Sequence, residues 1–259
     1  MTDQNRHVYL DTEFDPRNPT LPGLLSIGIT DNHDVPAEYY GINADADLAA
    51  LIDHAFICDH VLPYMPVVIE RDTTGTVRTI RWDEHHPDYA RVLPPSQIAA
   101  DIAAYFPGEN EPELLANWGK DDLGYLHRLF GNDWAAMPPG IPRLFTDLEV
   151  LRRQLGAPKP PVQLADEHHA LADARFNRDF HEHLLRFQAM QRIDAGELAQ
   201  ELYTVMTAGP GKRPAQPARP AGEPRPDWAD LTEAQREHHE RVAQKLLARL
   251  DIRRPQDSR

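Results

Sequence analysis

A proline-rich segment near the end of the chain constrains its fold more than any other feature. Residues 208–226 read AGPGKRPAQPARPAGEPRP, with six prolines and three glycines in 19 residues. Proline removes a backbone donor and glycine adds conformational freedom, so neither helix nor strand propagates here, and we predict a disordered linker over residues 208–227. The main domain must then be built from residues 1–207.

The residues after this linker are typical of a tethered helix. The stretch WADLTEAQREHHERVAQKLLARLD predicts a helix over residues 228–251, followed by a tail over 252–259. Thr232 and Gln235 fit a capping box at its start. An apolar stripe recurs at every fourth position: Val242, Leu246 and Leu250. Because catalysis would not need such a helix, we infer that it docks to a protein partner or mediates oligomerisation.

Composition excludes several classes of protein. The 259 residues include 41 acidic side chains against 27 Lys and Arg, a net charge of -14, and 41% of residues are apolar. This apolar content is enough for a buried core. The acidity argues against a protein that holds nucleic acid on a broad basic surface, but it permits capture through bound metal ions. Residues 208–259 alone are mildly basic, with 11 Lys and Arg against 8 Asp and Glu.

Location and redox chemistry follow from what the sequence lacks. No stretch approaches the roughly 18–20 apolar residues of a membrane span, and the polar start MTDQNRH does not resemble a signal peptide. We therefore predict a cytoplasmic protein without membrane contact. The single cysteine, Cys58, excludes an intramolecular disulfide and a multi-cysteine zinc site, and we expect it to be a small buried residue.

Residues 1–207 predict an α/β fold. The runs HVYLDTEF, GLLSIGIT and AEYYGIN are strand-like and suit an antiparallel meander, and PVVIERDTTGTVRTIRW predicts a hairpin that turns at Thr74 and Gly75. A further strand-like run covers residues 114–118. Helices are predicted over residues 48–58, 97–106, 121–130, 147–155 and 170–188. Strands first, and then strands alternating with helices, indicate a mixed sheet flanked by helices.

The acidic pair Asp11 and Glu13 is the first candidate for chemistry. Alternate residues of a strand point to one face, so both carboxylates can reach a common metal ion at the open end of the HVYL run. The alternative is that Asp11 and Glu13 are solvated acids in a turn. The run Asp147-Leu-Glu149 repeats the same spacing at a predicted helix start.

Two more groups of polar residues follow later in the chain. Asp121 and Asp122 follow the apolar run LLANW two residues later, where either acid also suits the start of a helix. The run EHHALADAR contains His168 and Asp173. Positions five apart do not share a helix face, so His168 meets Asp173 only if it lies in the loop before the helix. An imidazole there is a plausible general base for a metal-held water.

Together the three groups resemble the histidine-bearing branch of the DEDD superfamily of 3′–5′ exonucleases, whose fold is ribonuclease H-like. The first motif of that family, D-x-E after a strand, matches YLDTEF, and the last, H-x-A-x-x-D, matches HHALAD from His168. The middle motif is an acid with an apolar pair three and four residues later. Tyr125 and Leu126, as the apolar pair, select Asp122, whereas counting forward from Asn117 selects Asp121. We choose Asp122.

Within this superfamily, four strings look most like those of the actinobacterial enzymes called polyadenylate-specific 3′-exoribonuclease AS: DTEF, LLSIGI, HVLPYMP and HHALADAR. The hairpin at Gly75 looks like an insertion relative to those enzymes.

The resemblance implies the chemistry of the site. Asp11, Glu13, Asp122 and Asp173 would hold two Mg²⁺ or Mn²⁺ ions, roughly 3.5–4 Å apart in sites of this kind. His168 would take a proton from the attacking water, and a nucleoside 5′-monophosphate would leave from the 3′ end of single-stranded RNA. A homodimer is also implied.

Three further residues were assigned to substrate binding: Thr12, Phe14 and Trp118. Phe14 is equally consistent with core packing and with stacking on the terminal base, and the apolar run before Trp118 favours core packing for that residue. Two other functions stay open. A 3′–5′ DNA exonuclease would use the same motifs, because they do not read the sugar. A non-catalytic nucleic-acid-binding adaptor would depend mainly on the C-terminal helix.

Overall fold

A computed structural model of the protein describes residues 6–108, 111–135, 137–191, 198–200, 202–203 and 228–249. The chain divides into two compact units, residues 1–183 and residues 184–259. The predicted linker over 208–227 and the predicted tail over 252–259 lie outside the described residues. The domain boundary at residue 207 stays a prediction.

A six-stranded sheet organises the first unit. Its strands are β1 (His7–Phe14), β2 (Leu24–Asp31), β3 (Glu38–Asn43), β6 (Val92–Leu93), β7 (Glu113–Ala116) and β8 (Thr146–Asp147). They lie in the order β6-β3-β2-β1-β7-β8. Strand β2 pairs antiparallel with both β1 and β3, whereas β6 pairs parallel with β3, and β7 pairs parallel with both β1 and β8. This arrangement confirms the predicted α/β class and the ribonuclease H-like mixed sheet. The two-residue strands β6 and β8 have no counterpart in the sequence prediction.

The predicted hairpin and most of the predicted helices are confirmed. The hairpin consists of β4 (Val67–Arg71) and β5 (Val77–Trp82), which pair antiparallel, with Gly75 at a φ of 84° in the turn. The helices of the first unit are α1 (Pro95–Tyr105), α2 (Lys120–Leu129), α3 (Leu148–Gln154) and α4 (Ala170–Gln191), the last of which continues into the second unit. Because α1 turns one face to the sheet, Ile98, Ile102 and Phe106 join the buried core with Val8 and Ile27.

The single helix predicted over residues 48–58 is wrong. The chain instead forms a 3₁₀ turn at Leu48–Leu51 and one π-helical turn at Ile57–Val61. Arg17 gives the physical reason, because its guanidinium donates to the Ala50 carbonyl at 2.7 Å and to Asp53 at 2.8 Å. An α-helix would pair that carbonyl with His54, whose N–H donates to Leu51 instead. Cys58, in this segment, is buried and unbonded to another cysteine, as predicted.

A glycine in β2, which has no side chain, lets α4 lie directly on the sheet. Gly28 in β2 faces the first turn of α4, and a Cβ on this glycine would lie 2.3 Å from the carbonyl carbon of Ala170 and 2.3 Å from the Leu171 nitrogen. Gly28 is also the residue of β2 that pairs with Asp11 of β1. The first turn of α4 is therefore held next to Asp11.

The second unit contains α5 (Glu233–Arg249), a helix inside the predicted range 228–251. The predicted capping box is confirmed: the Thr232 N–H donates to Gln235 Oε1 at 2.9 Å, and the Gln235 N–H donates to Thr232 Oγ1 at 3.4 Å. The side chains of Leu246 and Leu250, in the predicted apolar stripe, lie outside the described residues. Across the part of the chain that the structure describes, the helices are too short or too polar to cross a membrane.

Candidate active site

The end of β1 supplies two of the predicted acids. Asp11 and Glu13 occupy alternate positions of this strand and so point to one face of the sheet. Strand β7 pairs with β1 only at residues 7–9. The last residues of β1 therefore extend beyond β7, and their backbone on that side is available to other partners.

Asp122 uses this available backbone. Its Oδ1 accepts a hydrogen bond from the Thr12 N–H at 2.7 Å and another from the Thr12 hydroxyl at 2.6 Å. Asp122 is 6% exposed, whereas Asp121 beside it on α2 is exposed to solvent. The structure thus places Asp122, and not Asp121, next to the acids of β1.

Asp173 approaches the same acids from α4. It lies in the first turn of that helix, and its two carboxylate oxygens accept from different groups in the preceding loop. The Gln163 side chain donates to Oδ1 at 2.5 Å, and the His168 backbone N–H donates to Oδ2 at 2.9 Å. His168 has a φ of 71° and lies before α4, so the loop position predicted for it is correct.

Glu13, His168 and Asp173 form a group with metal-binding potential among the described residues. One ligand atom from each lies within 4.8 Å of the others. The imidazole of His168 also has aromatic neighbours in and just after the segment 48–58 that was wrongly predicted as one helix. The ring of Phe56, which is 50% exposed, lies edge-on at 5.0 Å, and the ring of His60 lies at 6.0 Å.

The carboxylates raise the pKa values of one another. Desolvation is the largest cause of the raised pKa of Asp11, and the charges of Asp122, Glu13 and Asp173 add to it. The pKa of Glu13 is raised to about 8 by burial, by Asp173 and by Asp122. Burial also raises the pKa of Asp122 against the opposing effect of its bonds to Thr12. Four such groups fit divalent cations, whose charge would remove this repulsion.

These pKa shifts predict how the metal-free protein responds to pH. Glu13 holds its proton up to about pH 8 in the folded state, but loses it near pH 4.5 in an unfolded chain. The folded state therefore binds more protons between these values, and its free energy of unfolding should fall as pH rises from 6 to 8.5. Added Mg²⁺ or Mn²⁺ should raise the melting temperature more at pH 8.5 than at pH 6, since protons compete with the ions.

Thermal unfolding in chelator and in one fixed metal concentration, the same at both pH values, checks this expectation. The Glu13→Gln variant is the matched control, because it keeps the shape of the side chain and removes the titration. The wild-type protein should lose more stability than this variant between the two pH values. Equal losses, or a metal-induced shift that does not depend on pH, would contradict the expectation.

The remaining predicted residues have distinct environments. Thr12 is buried and donates both its hydrogens to Asp122, so it contacts an acid of the site. Phe14 is partly buried and packs on Tyr125, with ring centroids 5.0 Å apart. The core packing favoured for Trp118 is wrong, since this side chain is 65% exposed. His169 stacks on Tyr40 at 4.4 Å.

Sequence reasoning missed Gln163, Phe56 and His60. Gln163 lies in a proline-containing loop without any periodic pattern, and its contact with Asp173 depends on how that loop folds back. Phe56 was missed because the apolar residues around it predicted an ordinary helix, and His60 was missed because it lies just beyond the predicted end of that helix. The string HVLPYMP, which begins at His60, is the signal that could have drawn attention to the segment.

The comparisons with known proteins bear on the whole arrangement. No family model matches the chain. A protein named 3′–5′ exoribonuclease from Mycobacterium tuberculosis strain H37Rv is 28% identical over 191 residues, which are 73% of this chain and 95% of that protein. The protein of the same description from strain CDC 1551 gives the same values. These relatives confirm the predicted resemblance to 3′–5′ exonucleases. The closer likeness to the polyadenylate-specific enzymes stays a prediction.

Solved structures of exonuclease I are also similar. The zinc-bound form of the Escherichia coli exonuclease I complex with single-stranded DNA has a TM-score of 0.46 at 13% identity, over 78% of this chain and 45% of that one. A product-bound exonuclease I has a TM-score of 0.42 at 12% identity, over 76% of this chain and 48% of that one. The chain spans less than half the length of these structures.

Proposed function

We propose that the protein is a metal-dependent 3′–5′ exoribonuclease that removes nucleoside 5′-monophosphates from the 3′ end of single-stranded RNA. The observation that carries the proposal is the convergence of four acids and one histidine at the end of β1: Asp11, Glu13, Asp122, Asp173 and His168. The similarity to proteins named 3′–5′ exoribonuclease, over 95% of their length, supports it.

The donor set fits hard divalent cations. Asp11, Glu13, Asp122 and Asp173 offer only carboxylate oxygens, which Mg²⁺ and Mn²⁺ prefer. Two such ions, when bound, would neutralise charge on the scissile phosphate and activate water.

The residues of the chain then have separate tasks. The oxygen of a water forms a bond to phosphorus while the bond between phosphorus and the O3′ of the preceding nucleotide breaks. His168 takes one proton of that water, and a solvent proton neutralises the departing O3′. Thr12 positions Asp122 through two hydrogen bonds, and Gln163 positions Asp173 through one. Both are positioning residues.

Digestion of matched RNA and DNA oligonucleotides tests the proposal. Each is labelled at the 5′ end and incubated with Mg²⁺, with Mn²⁺ or with chelator. A ladder of shortened RNA that appears only with metal, and with nucleoside 5′-monophosphates as products, is expected. A ladder confined to DNA would establish the alternative DNA exonuclease, and the absence of any ladder would favour the adaptor. The Glu13→Gln variant shows whether the digestion belongs to this protein.

His168→Asn should lower kcat on the order of 10²-fold, because a general base is lost. Its effect on Mn²⁺ affinity should stay within about threefold, since the carboxylates remain. His169→Asn is the matched control, and it should keep most of the turnover because His169 stacks on Tyr40. Turnover on single-stranded RNA and Mn²⁺ titrations check both values. Comparable losses of turnover in the two variants would contradict the role of His168.

Three other predictions from the sequence are part of the proposal. They are the cytoplasmic location, the homodimer and the docking of the C-terminal helix to a protein partner. A chain that ends at residue 207 tests the last of these, because its activity on RNA should survive if the helix serves only docking or oligomerisation.

A further inference from the structure

Trp118 has an environment that core packing does not explain. The side chain is 65% exposed, and the backbone has a φ of 57°, in the left-handed region that bulky residues rarely adopt. Trp118 follows β7 and precedes α2, four residues before Asp122. Such strained, exposed positions cluster at ligand-binding sites.

A cation is held against the exposed ring. The guanidinium of Arg153 lies 5.5 Å from the centroid of Trp118. Glu149 fixes this guanidinium through a hydrogen bond of 2.8 Å, and it also accepts from Arg152 at 2.7 Å. Two arginines thus share one carboxylate, which leaves positive charge beside the ring in a chain of net charge -14.

The sheet brings this pair to the same edge as the site. Helix α2 follows β7 and helix α3 follows β8, and these two strands are parallel neighbours. Trp118 and Arg153 are therefore presented at the carboxyl end of the sheet. An exposed aromatic ring with an adjacent arginine is the usual combination for binding single-stranded nucleic acid, because the ring stacks on a base and the cation contacts the backbone.

The groups of the site lie on two different sides of β1, and this indicates the direction in which the RNA strand runs. Asp122 contacts β1 at Thr12, on the side of β7. The first turn of α4, with His168 before it and Asp173 within it, lies over Gly28 of β2 on the other side. In an in-line displacement the attacking water and the departing O3′ are on opposite sides of phosphorus. With His168 on the water side, the departing O3′ faces the side of Asp122 and Trp118.

We propose that the penultimate nucleotide of the RNA stacks on Trp118 and that Arg153 contacts the backbone phosphate on its 5′ side. The departing O3′ belongs to this nucleotide, so the retained strand leaves the site on the β7 side. The inference rests on the proposed function for the identity of the substrate. It adds the direction of the strand and a contact that duplex RNA, with its bases stacked inside a helix, cannot make.

Binding measured without turnover tests this contact. Octaadenylate is titrated onto the full chain with Ca²⁺ in place of Mg²⁺, and onto Trp118→Ala, Trp118→Phe and Arg153→Gln variants. Trp118→Ala should weaken binding about tenfold, and Trp118→Phe should restore most of it, because base–aromatic stacking is the interaction lost. Octaadenylates that lack the base of the terminal, the penultimate or the third nucleotide locate the contact. Only the oligonucleotide without the penultimate base should bind wild type and Trp118→Ala equally.

Trp134→Ala is the matched control for Trp118→Ala. This tryptophan is also exposed, but it lies beyond the other end of α2, near His127, roughly 15 Å along the helix from Trp118. It should bind as wild type does. Unchanged binding by Trp118→Ala, or a loss that persists when the penultimate base is missing, would overturn the inference. Turnover of RNA by the wild-type protein is a separate result, so an inactive protein that still binds through Trp118 would refute the proposed function alone.

Discussion

Replacing Asp122 by Asn is expected to lower the rate of RNA digestion on the order of 10³-fold. The substitution removes one negative charge from the set that would hold the ions. It keeps the Oδ1 atom that accepts the two hydrogen bonds from Thr12, so the fold should be retained. The measurement is kcat and kcat/KM on a 5′-labelled oligoadenylate with Mg²⁺, alongside thermal unfolding of the same samples.

Asp121→Asn is the control for this variant. It makes the same chemical change one residue away, at a side chain that is exposed to solvent. Its activity should stay within about twofold of wild type, because an exposed neighbour is screened by water. The opposite outcome, with Asp121→Asn inactive and Asp122→Asn active, would show that the middle motif had been aligned one residue out of register.

Gly28→Ala should destabilise the protein by roughly 3 kcal/mol or more, because the new methyl group would overlap main-chain atoms that cannot rotate away. It would lie 2.3 Å from the carbonyl carbon of Ala170 and 2.4 Å from its oxygen. Relief requires the first turn of α4 to move off the sheet. Since that turn carries Asp173, digestion of RNA should also be lost at temperatures where the protein remains folded.

Gly41→Ala on the adjacent strand β3 separates this effect from a general cost of substituting glycine. A methyl group there would lie 2.6 Å from the hydroxyl of Tyr39, a side chain that is able to rotate. Urea denaturation and Mn²⁺ binding are measured for both variants. Stability and metal affinity in Gly28→Ala equal to those in Gly41→Ala would contradict the positioning of α4 by Gly28.

Local patterns predicted most of the fold because they act within a few residues. Strand-like runs bounded by Pro, Asn and Gly predicted β1 and β2, and the fourfold apolar spacing predicted α1 close to its observed bounds, Pro95–Tyr105. The helix predicted over residues 48–58 failed because of Arg17, which is remote in sequence and takes the Ala50 carbonyl. No local pattern contains that contact.

Local patterns likewise predicted one part of the candidate site and failed for another. The spacing of Asp11 and Glu13 on a strand predicted a shared face, and the five-residue separation of His168 and Asp173 predicted the loop position of the histidine. The sequence left Asp121 and Asp122 as alternatives for the middle acid, and in the structure it is Asp122 that accepts the hydrogen bonds from Thr12. Trp118 was expected in the core because an apolar strand leads to it, but β7 ends at Ala116 and the chain turns outward after it.

The packing of Ala170 on Gly28 also determines the stage of protein synthesis at which the acidic site can form. A ribosome makes the strands of the meander first and the first turn of α4 near the end of the first unit. Asp11 and Glu13 are therefore translated long before Asp173, which follows only when almost all of that unit has been made. Bringing α4 to β1 closes a long loop of chain, and this step is slow. A nascent or prematurely terminated chain would expose the first two acids without the third. We expect such a chain to be unable to cleave RNA, including the message from which it is being made.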